Sequence, residues 1–188
     1  MRLWKKLISI LSPIALAACV QAPAASAFAV RAAVIEHGQL NAQVDWQPSA
    51  ILLDALDHGI ALDFAITLKA QAPALLGWQR TLAQTRWHRE LRYFPLTRQY
   101  QLRDPDGAET RSYGARASLI AAIADLRLDL PASWSAPALQ GGTAQRYSLR
   151  IELERDNLPG ALRLPALIDA SWRLSTGSYT WSVPPTAG

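Results

Sequence analysis

Cys19 is the residue whose type and position point most clearly to a chemical modification. It follows the tripeptide Leu-Ala-Ala at 16–18, an apolar stretch over residues 7–18 and a basic segment over residues 2–6. This order is typical of a bacterial lipobox, in which the thiol receives a diacylglycerol group and becomes the mature N-terminus. Cys19 is the only cysteine of the chain, so the fold does not depend on internal disulfides.

A second cleavage signal follows the first. Residues 25–27 read Ala-Ser-Ala, which is an A-x-A site for removal of a signal peptide over residues 1–27. Cleavage there gives a soluble periplasmic domain, whereas a lipoprotein signal over residues 1–18 gives a lipid-anchored one. Val20 after the cysteine favours the outer membrane for the anchored form. Both alternatives predict an exported protein with one globular domain over residues 28–184.

The remaining chemistry-bearing residues do not form a catalytic or metal-binding motif. The three histidines have no second ligand at metal-binding spacing, and neither a nucleophile elbow nor an S-x-x-K motif occurs. Carboxylates for sugar hydrolysis are available, but any chain of this size offers such pairs. We therefore expect no enzyme activity, no catalytic residues, no metal and no cofactor. The side chains weighed here are His37, His58, His88, Asp54, Asp57, Asp63, Glu90, Glu152, Asp104 and Asp106.

The best candidates for binding a partner are arginines in the segment 78–103 and one tryptophan. Arg86 and Arg92 alternate with apolar residues, so both are expected on the solvent face of a strand, in reach of an anionic partner. Trp134 lies in a proline-rich loop and is expected to be exposed. The wider arginine set of this hairpin is Arg86, Arg89, Arg92, Arg98 and Arg103.

The charge balance argues against nucleic acid as a partner. The chain has 19 basic and 15 acidic residues, but three of the basic residues belong to the N-terminal signal. Without them the balance is 16 to 15, and nucleic-acid binding needs a clear basic surplus.

Period-two alternation dominates the mature chain and predicts a β-rich fold. Residues 30–34 and 40–46 read as a hairpin, with Val30, Ala32 and Val34 on one face. Helical spacing is confined to a short segment after Pro48 and to residues 115–126. We therefore expect an α+β, mainly antiparallel sheet or sandwich of about seven strands with two short helices, the last strand beginning at Trp172.

The segment from Trp87 to Tyr100 resembles an uncharacterised bacterial family, domain of unknown function 4390. The pattern is Trp-x-x-x-Leu-x-Tyr-x-Pro-Leu-Thr-Arg-Gln-Tyr, and segments at 55–60, 150–153, 156–159 and 166–175 are similar to the same family. The resemblance implies an exported domain of unknown activity. It also suggests envelope signalling, because family members are often encoded beside a membrane sensor kinase.

Two functions remain as hypotheses. The first is a non-enzymatic envelope domain that binds a protein partner, such as a sensor kinase, through an exposed strand edge or the arginine-bearing hairpin. The alternative is a carrier of a small ligand or lipid, which predicts an apolar cavity of several hundred Å³.

Overall fold

The computed structural model describes residues 27–74, 78–104, 109–135 and 145–183. In this part of the chain, nine strands form two antiparallel sheets, accompanied by three α-helices. The strands are β1 (Ala27–Glu36), β2 (Gln39–Gln47), β3 (Leu62–Pro73), β4 (Gln79–Phe94), β5 (Gln99–Arg103), β6 (Thr110–Tyr113), β7 (Asp125–Asp129), β8 (Gln145–Glu154) and β9 (Tyr179–Val183). The helices are α1 (Ala50–Asp57), α2 (Arg116–Ala124) and α3 (Gly160–Ile168), with 3₁₀ turns at Ala132–Ser135 and Ala170–Trp172.

The predicted β-rich, antiparallel α+β fold is confirmed. One sheet has the order β1-β2-β7 and the other the order β6-β5-β4-β3-β8-β9. The predicted strand number is too low because β6 and β7 have only four and five residues. Such short strands give too few alternations to be separated from the neighbouring helix and loops.

Apolar side chains from the two sheets form one core. Alternation along β2 points Leu40, Val44 and Trp46 inward. The ring of Phe64 on β3 lies 5.9 Å from that of Phe28 on β1 and 5.4 Å from that of Trp46, centroid to centroid. These aromatic contacts join the sheets, and pairs of this kind add about 0.5–1.5 kcal/mol beyond the burial of area.

The predicted face of β1 is wrong beyond Val30. Val30 pairs with Val44, but the next paired residue is Ala32, opposite Gln43, so the register shifts at Arg31. The inserted residue reverses the direction of every later side chain. Ala32 and Val34 are consequently exposed, and the inward positions pass to the two residues that follow them.

The helices pack small apolar faces onto the sheets. Ser49 caps α1 by accepting a hydrogen bond from Leu52 N at 3.3 Å. The chain turns away after the helix at Gly59, whose φ of +79° favours glycine. The predicted second helix is observed as α2. The sequence pattern does not predict α3, because Pro165 lies inside it.

The last strand is shorter than expected. Trp172 belongs to a 3₁₀ turn, and β9 begins only at Tyr179. Trp172 and Leu174 are nevertheless buried, so the alternation that suggested a strand reflects burial and not sheet pairing.

Candidate functional site

The predicted arginine face lies on the outside of the six-stranded sheet. β4 runs between β3 and β5, and its alternation separates buried Trp87 and Leu91 from exposed Arg86, His88 and Arg92. β3 pairs with β4 at Arg86 and His88, and β5 pairs with it at Arg92, so the backbone holds these side chains in a fixed row.

Arg86 is neutralised by a neighbour two strands away. Its guanidinium donates to Glu154 on β8, and His88 Nδ1 lies 3.2 Å from the other oxygen of the same carboxylate. β3 separates β4 from β8, with Thr67 and Ala65 opposite Arg86 and His88. The small side chains on β3 allow the long ones to meet above them.

Carboxylates gather beside this ion pair. Asp63 on β3 lies directly opposite Glu90 on β4 and opposite Glu154 on β8. Burial, followed by the negative charge of Glu90, raises the pKa of Asp63 above its ordinary value, although a hydrogen bond with Asn157 opposes the shift. Arg103 Nη1 lies 3.4 Å from Glu90 and offsets part of this negative charge. The row therefore alternates in sign and does not form a uniformly basic stripe.

Arg92 differs from Arg86 in its partners. Its guanidinium carbon lies 5.2 Å from the centre of the Phe94 ring, a cation–π arrangement. No carboxylate in the described residues pairs with it, and the residue opposite on β5 is Gln101. Arg92 thus keeps its charge available at the surface.

Arg89 is a buried residue and does not belong to an exposed arginine stripe. The strand period places it with Trp87 and Leu91, and it is 2% exposed. Its guanidinium contacts Asp104, which also accepts from Arg111 Nη2 at 2.5 Å. Burial lowers the pKa of Arg89 from its ordinary value, while its Nε and Nη1 atoms have no hydrogen-bond partner in the part of the chain described.

Trp134 is buried, so its expected exposure is wrong. It is 8% exposed, its Nε1 donates to Thr85 Oγ1 at 2.5 Å, and its ring stacks near that of Tyr147. The proline-rich composition of the loop predicts solvent exposure, but the 3₁₀ turn directs the indole onto the sheet. Trp134 is therefore no longer a candidate for binding a partner.

Sequence patterns did not reveal a polar connection at the C-terminal end of α1. Asp57 accepts a hydrogen bond from Tyr100 on β5 at 2.7 Å and contacts Arg116 at the start of α2. Burial and this hydrogen bond raise the pKa of Tyr100 to about 12. The group ties a helix to a strand and a second helix, so its role is structural.

Other predicted features are accounted for as follows. Cys19 and the signal region lie outside the described residues. Asp54 remains beside His58 on the exposed end of α1. Among the described side chains, no group of three His, Cys, Asp or Glu is placed to hold a metal ion. No helix in the same part of the chain is long and apolar enough to cross a membrane.

The fold and this face define a β-rich domain of two antiparallel sheets with a mixed-charge outer strand face. A family model described as a domain of unknown function (DUF4390) matches residues 25–182. The chain belongs to this family, which confirms the resemblance found in its sequence. The comparisons with curated proteins and with solved structures gave no match.

Proposed function

We propose that this chain is an exported domain of the cell envelope that binds a protein partner and catalyses no reaction itself. The observation that carries the proposal is Arg92, a cation on the exposed sheet face without a carboxylate partner among the described residues. Arginine presents several donors in a planar fork that suits a carboxylate on another protein.

The ion pairs around Arg92 restrict where a partner can bind. Arg86 and His88 already contact Glu154, and Arg103 lies beside Glu90. A partner carboxylate at these positions would have to displace an existing one. At Arg92 it displaces only water, so we expect recognition to centre there and to weaken with salt.

The size of the core cavity argues against the carrier alternative. Among the described residues, a largely enclosed space between the sheets, lined by Phe28, Phe64, Ile66 and Arg89 among others, measures about 10 Å³. That volume suits about one water molecule, whereas a ligand site needs about 300–1,000 Å³. Two larger depressions near Gln43 and Arg127, of about 310 and 540 Å³, are open surface grooves.

The start of the fold supports lipidation at Cys19 over cleavage after Ala27. Ala27 is the first residue of β1 and pairs with Gln47, while the next residue, Phe28, is buried. Cleavage after Ala27 would remove the first residue of β1 and its pairing with Gln47, and the strand would then begin directly at the buried Phe28. We therefore include a lipid anchor at Cys19 and placement at the outer membrane in the proposal.

Photocrosslinking in intact cells tests the binding proposal. A photoreactive amino acid at Gln101, opposite Arg92, should capture a discrete envelope protein. Arg92→Ser should reduce the captured amount, and high salt should reduce it further. Arg127→Ser is the control, because Arg127 is also exposed but lies on the other sheet. Equal capture by both variants would remove this face from the proposal.

The anchor is tested separately by metabolic labelling. Cells given an alkyne analogue of palmitate should label the wild-type protein, and Cys19→Ala should abolish the label. A mature N-terminus at Phe28 in wild-type protein would contradict the anchor.

A further inference from the structure

Among the residues that the structure describes, most of the large apolar side chains that remain exposed gather in elements at one end of the domain. They extend from α1, from the β4–β5 turn and from α3. Exposed apolar surface that persists in a folded domain commonly marks an interaction site. These residues are Ile51, Leu96, Leu164, Leu167 and Ile168.

Strand pairing places these elements at the end where the chain enters the fold. β1 begins at Ala27, opposite the last residue of β2, and α1 follows within three residues. Gly59, two residues beyond α1, lies against the end of β4 and the β4–β5 turn, since a Cβ added to it would lie 3.3 Å from Tyr93 O and 3.8 Å from Pro95 Cδ. α3 follows the end of β8, and the 3₁₀ turn after α3 contacts α1.

α3 has the side-chain pattern of a helix that lies in a membrane interface. Leu164, Leu167 and Ile168 follow the spacing i, i+3, i+4 and lie on one exposed face, while Ala166 faces the core. Two arginines flank the stripe: Arg155 and Arg173 each donate at 3.2 Å to a carbonyl near the C-terminal end of the helix. An apolar stripe beside cationic side chains is favourable at the boundary between acyl chains and anionic headgroups.

We propose that this end of the domain docks on a phospholipid bilayer through α3 and the β4–β5 turn. The proposal rests on the lipid anchor at Cys19. Ala27 lies eight positions after Cys19, so the start of β1 stays within about 28 Å of the anchored cysteine. The anchor therefore holds the apolar end close to lipid, which favours a bilayer over a protein as its occupant.

Site-directed spin labelling tests the docking. Cys19 is the only cysteine, so in the acylated protein an introduced Ile168→Cys is the single free thiol. Val34→Cys is the control: Val34 is also an exposed apolar residue, but it lies seven residues along β1 from Ala27, about 23 Å away. The labelled lipoproteins are reconstituted into vesicles of phosphatidylethanolamine and phosphatidylglycerol.

The docked arrangement predicts opposite results for the two labels. The label at 168 should collide mainly with oxygen, which concentrates in lipid, and the label at 34 mainly with a water-soluble nickel complex. If both labels report water, the domain stands away from the bilayer and the proposal is wrong.

Mass spectrometry of the same preparations separates failure of the anchor from failure of the docking. Should Cys19 lack the acyl group, the anchor is wrong and docking is measured on the unacylated protein by vesicle flotation. Leu164→Ser combined with Leu167→Ser should then lower the bound fraction at least about tenfold. Circular dichroism should show an unchanged fold, because both side chains are exposed. Absence of flotation by the wild-type protein would overturn docking as well.

Discussion

The buried ion pair between Arg89 and Asp104 gives the sharpest prediction about stability. Asp104→Asn keeps the shape of the side chain but removes its charge. Arg89 would then remain buried with no carboxylate in contact, since the described residues offer it only Asp104. Removing one partner of a buried pair typically costs about 3–5 kcal/mol, because the other charge stays desolvated.

The reverse substitution should be much milder. Arg89→Met removes the buried charge together with its two unpartnered nitrogens. It also leaves Asp104 with Arg111, which is half-exposed. Replacing a buried charge by an apolar side chain of similar length is often close to neutral. We expect a loss of at most about 1 kcal/mol, so the two variants should differ by at least about 2 kcal/mol.

Urea denaturation followed by far-ultraviolet circular dichroism measures the difference. For a domain of this size, the loss in Asp104→Asn corresponds to a fall in Tm of about 6–20 °C. Asp125→Asn is the matched control, because Asp125 pairs with Arg127 on an exposed strand face, and such pairs contribute about 0–1 kcal/mol. If Asp104→Asn costs no more than this control, or Arg89→Met costs as much as Asp104→Asn, the account of Arg89 is wrong.

Three further predictions follow from burial and from raised pKa values. Trp87→Ala should cost about 3–5 kcal/mol in the free energy of unfolding, since Trp87 is buried on the inner face of β4; an unchanged midpoint would contradict the strand register. The pKa of Asp63 is raised in the folded state above its ordinary value of 3.8. The folded protein therefore loses stability as the pH rises from 3.8 through the pKa of the folded state. Asp63→Asn should therefore be more stable than wild type at neutral pH, with the difference shrinking in acid; a constant difference would argue against the shift. Tyr100 should ionise at about pH 12, so an ultraviolet absorbance titration should lose its highest step in Tyr100→Phe, and stability should fall as pH rises from 10 toward 12.

The strand period predicts which residues of β4 face outward but not what they contact. Arg86 and His88 alternate with Trp87 and point to solvent, as expected. Their common partner Glu154 is 68 residues away from Arg86 along the chain, and only the order of β4, β3 and β8 brings them together. Sequence alone does not specify that order, so the mixed charge of the face emerges only in the structure.

The same period places Arg89 in the core, where its charge makes it an exception to the usual pattern. Alternation assigns residue 89 to the inner face, yet arginine is rarely buried without a partner. Its partner Asp104 follows β5 and would read as part of a surface turn. The pair forms because β5 lies beside β4. The sequence predicts this hairpin, but it does not predict that Asp104 just after β5 turns inward to meet Arg89.

Bulges and loops explain the other differences. An extra residue at Arg31 reverses the face of half of β1, and nothing in a run of small apolar residues marks where such an insertion falls. Trp134 shows that the composition of a loop does not determine whether its side chains are buried. Its loop has the composition of an exposed segment, but burying an indole with its N–H bonded to Thr85 is more favourable than leaving that ring in water.

The two proposals place the partner and the bilayer on neighbouring parts of the molecule. Arg92 lies two residues before the end of β4, and Leu96 occupies the turn that follows. Leu96 lies four positions after Arg92, so the arginine lies within about 14 Å of the apolar end. A partner that reaches Arg92 on the docked domain must therefore approach close to the lipid headgroups. This geometry favours a partner that is itself held in or at a membrane, and the photocrosslinker at Gln101 should capture more protein in intact envelopes than in detergent extracts. Equal capture in detergent extracts would show that binding of the partner does not depend on the membrane.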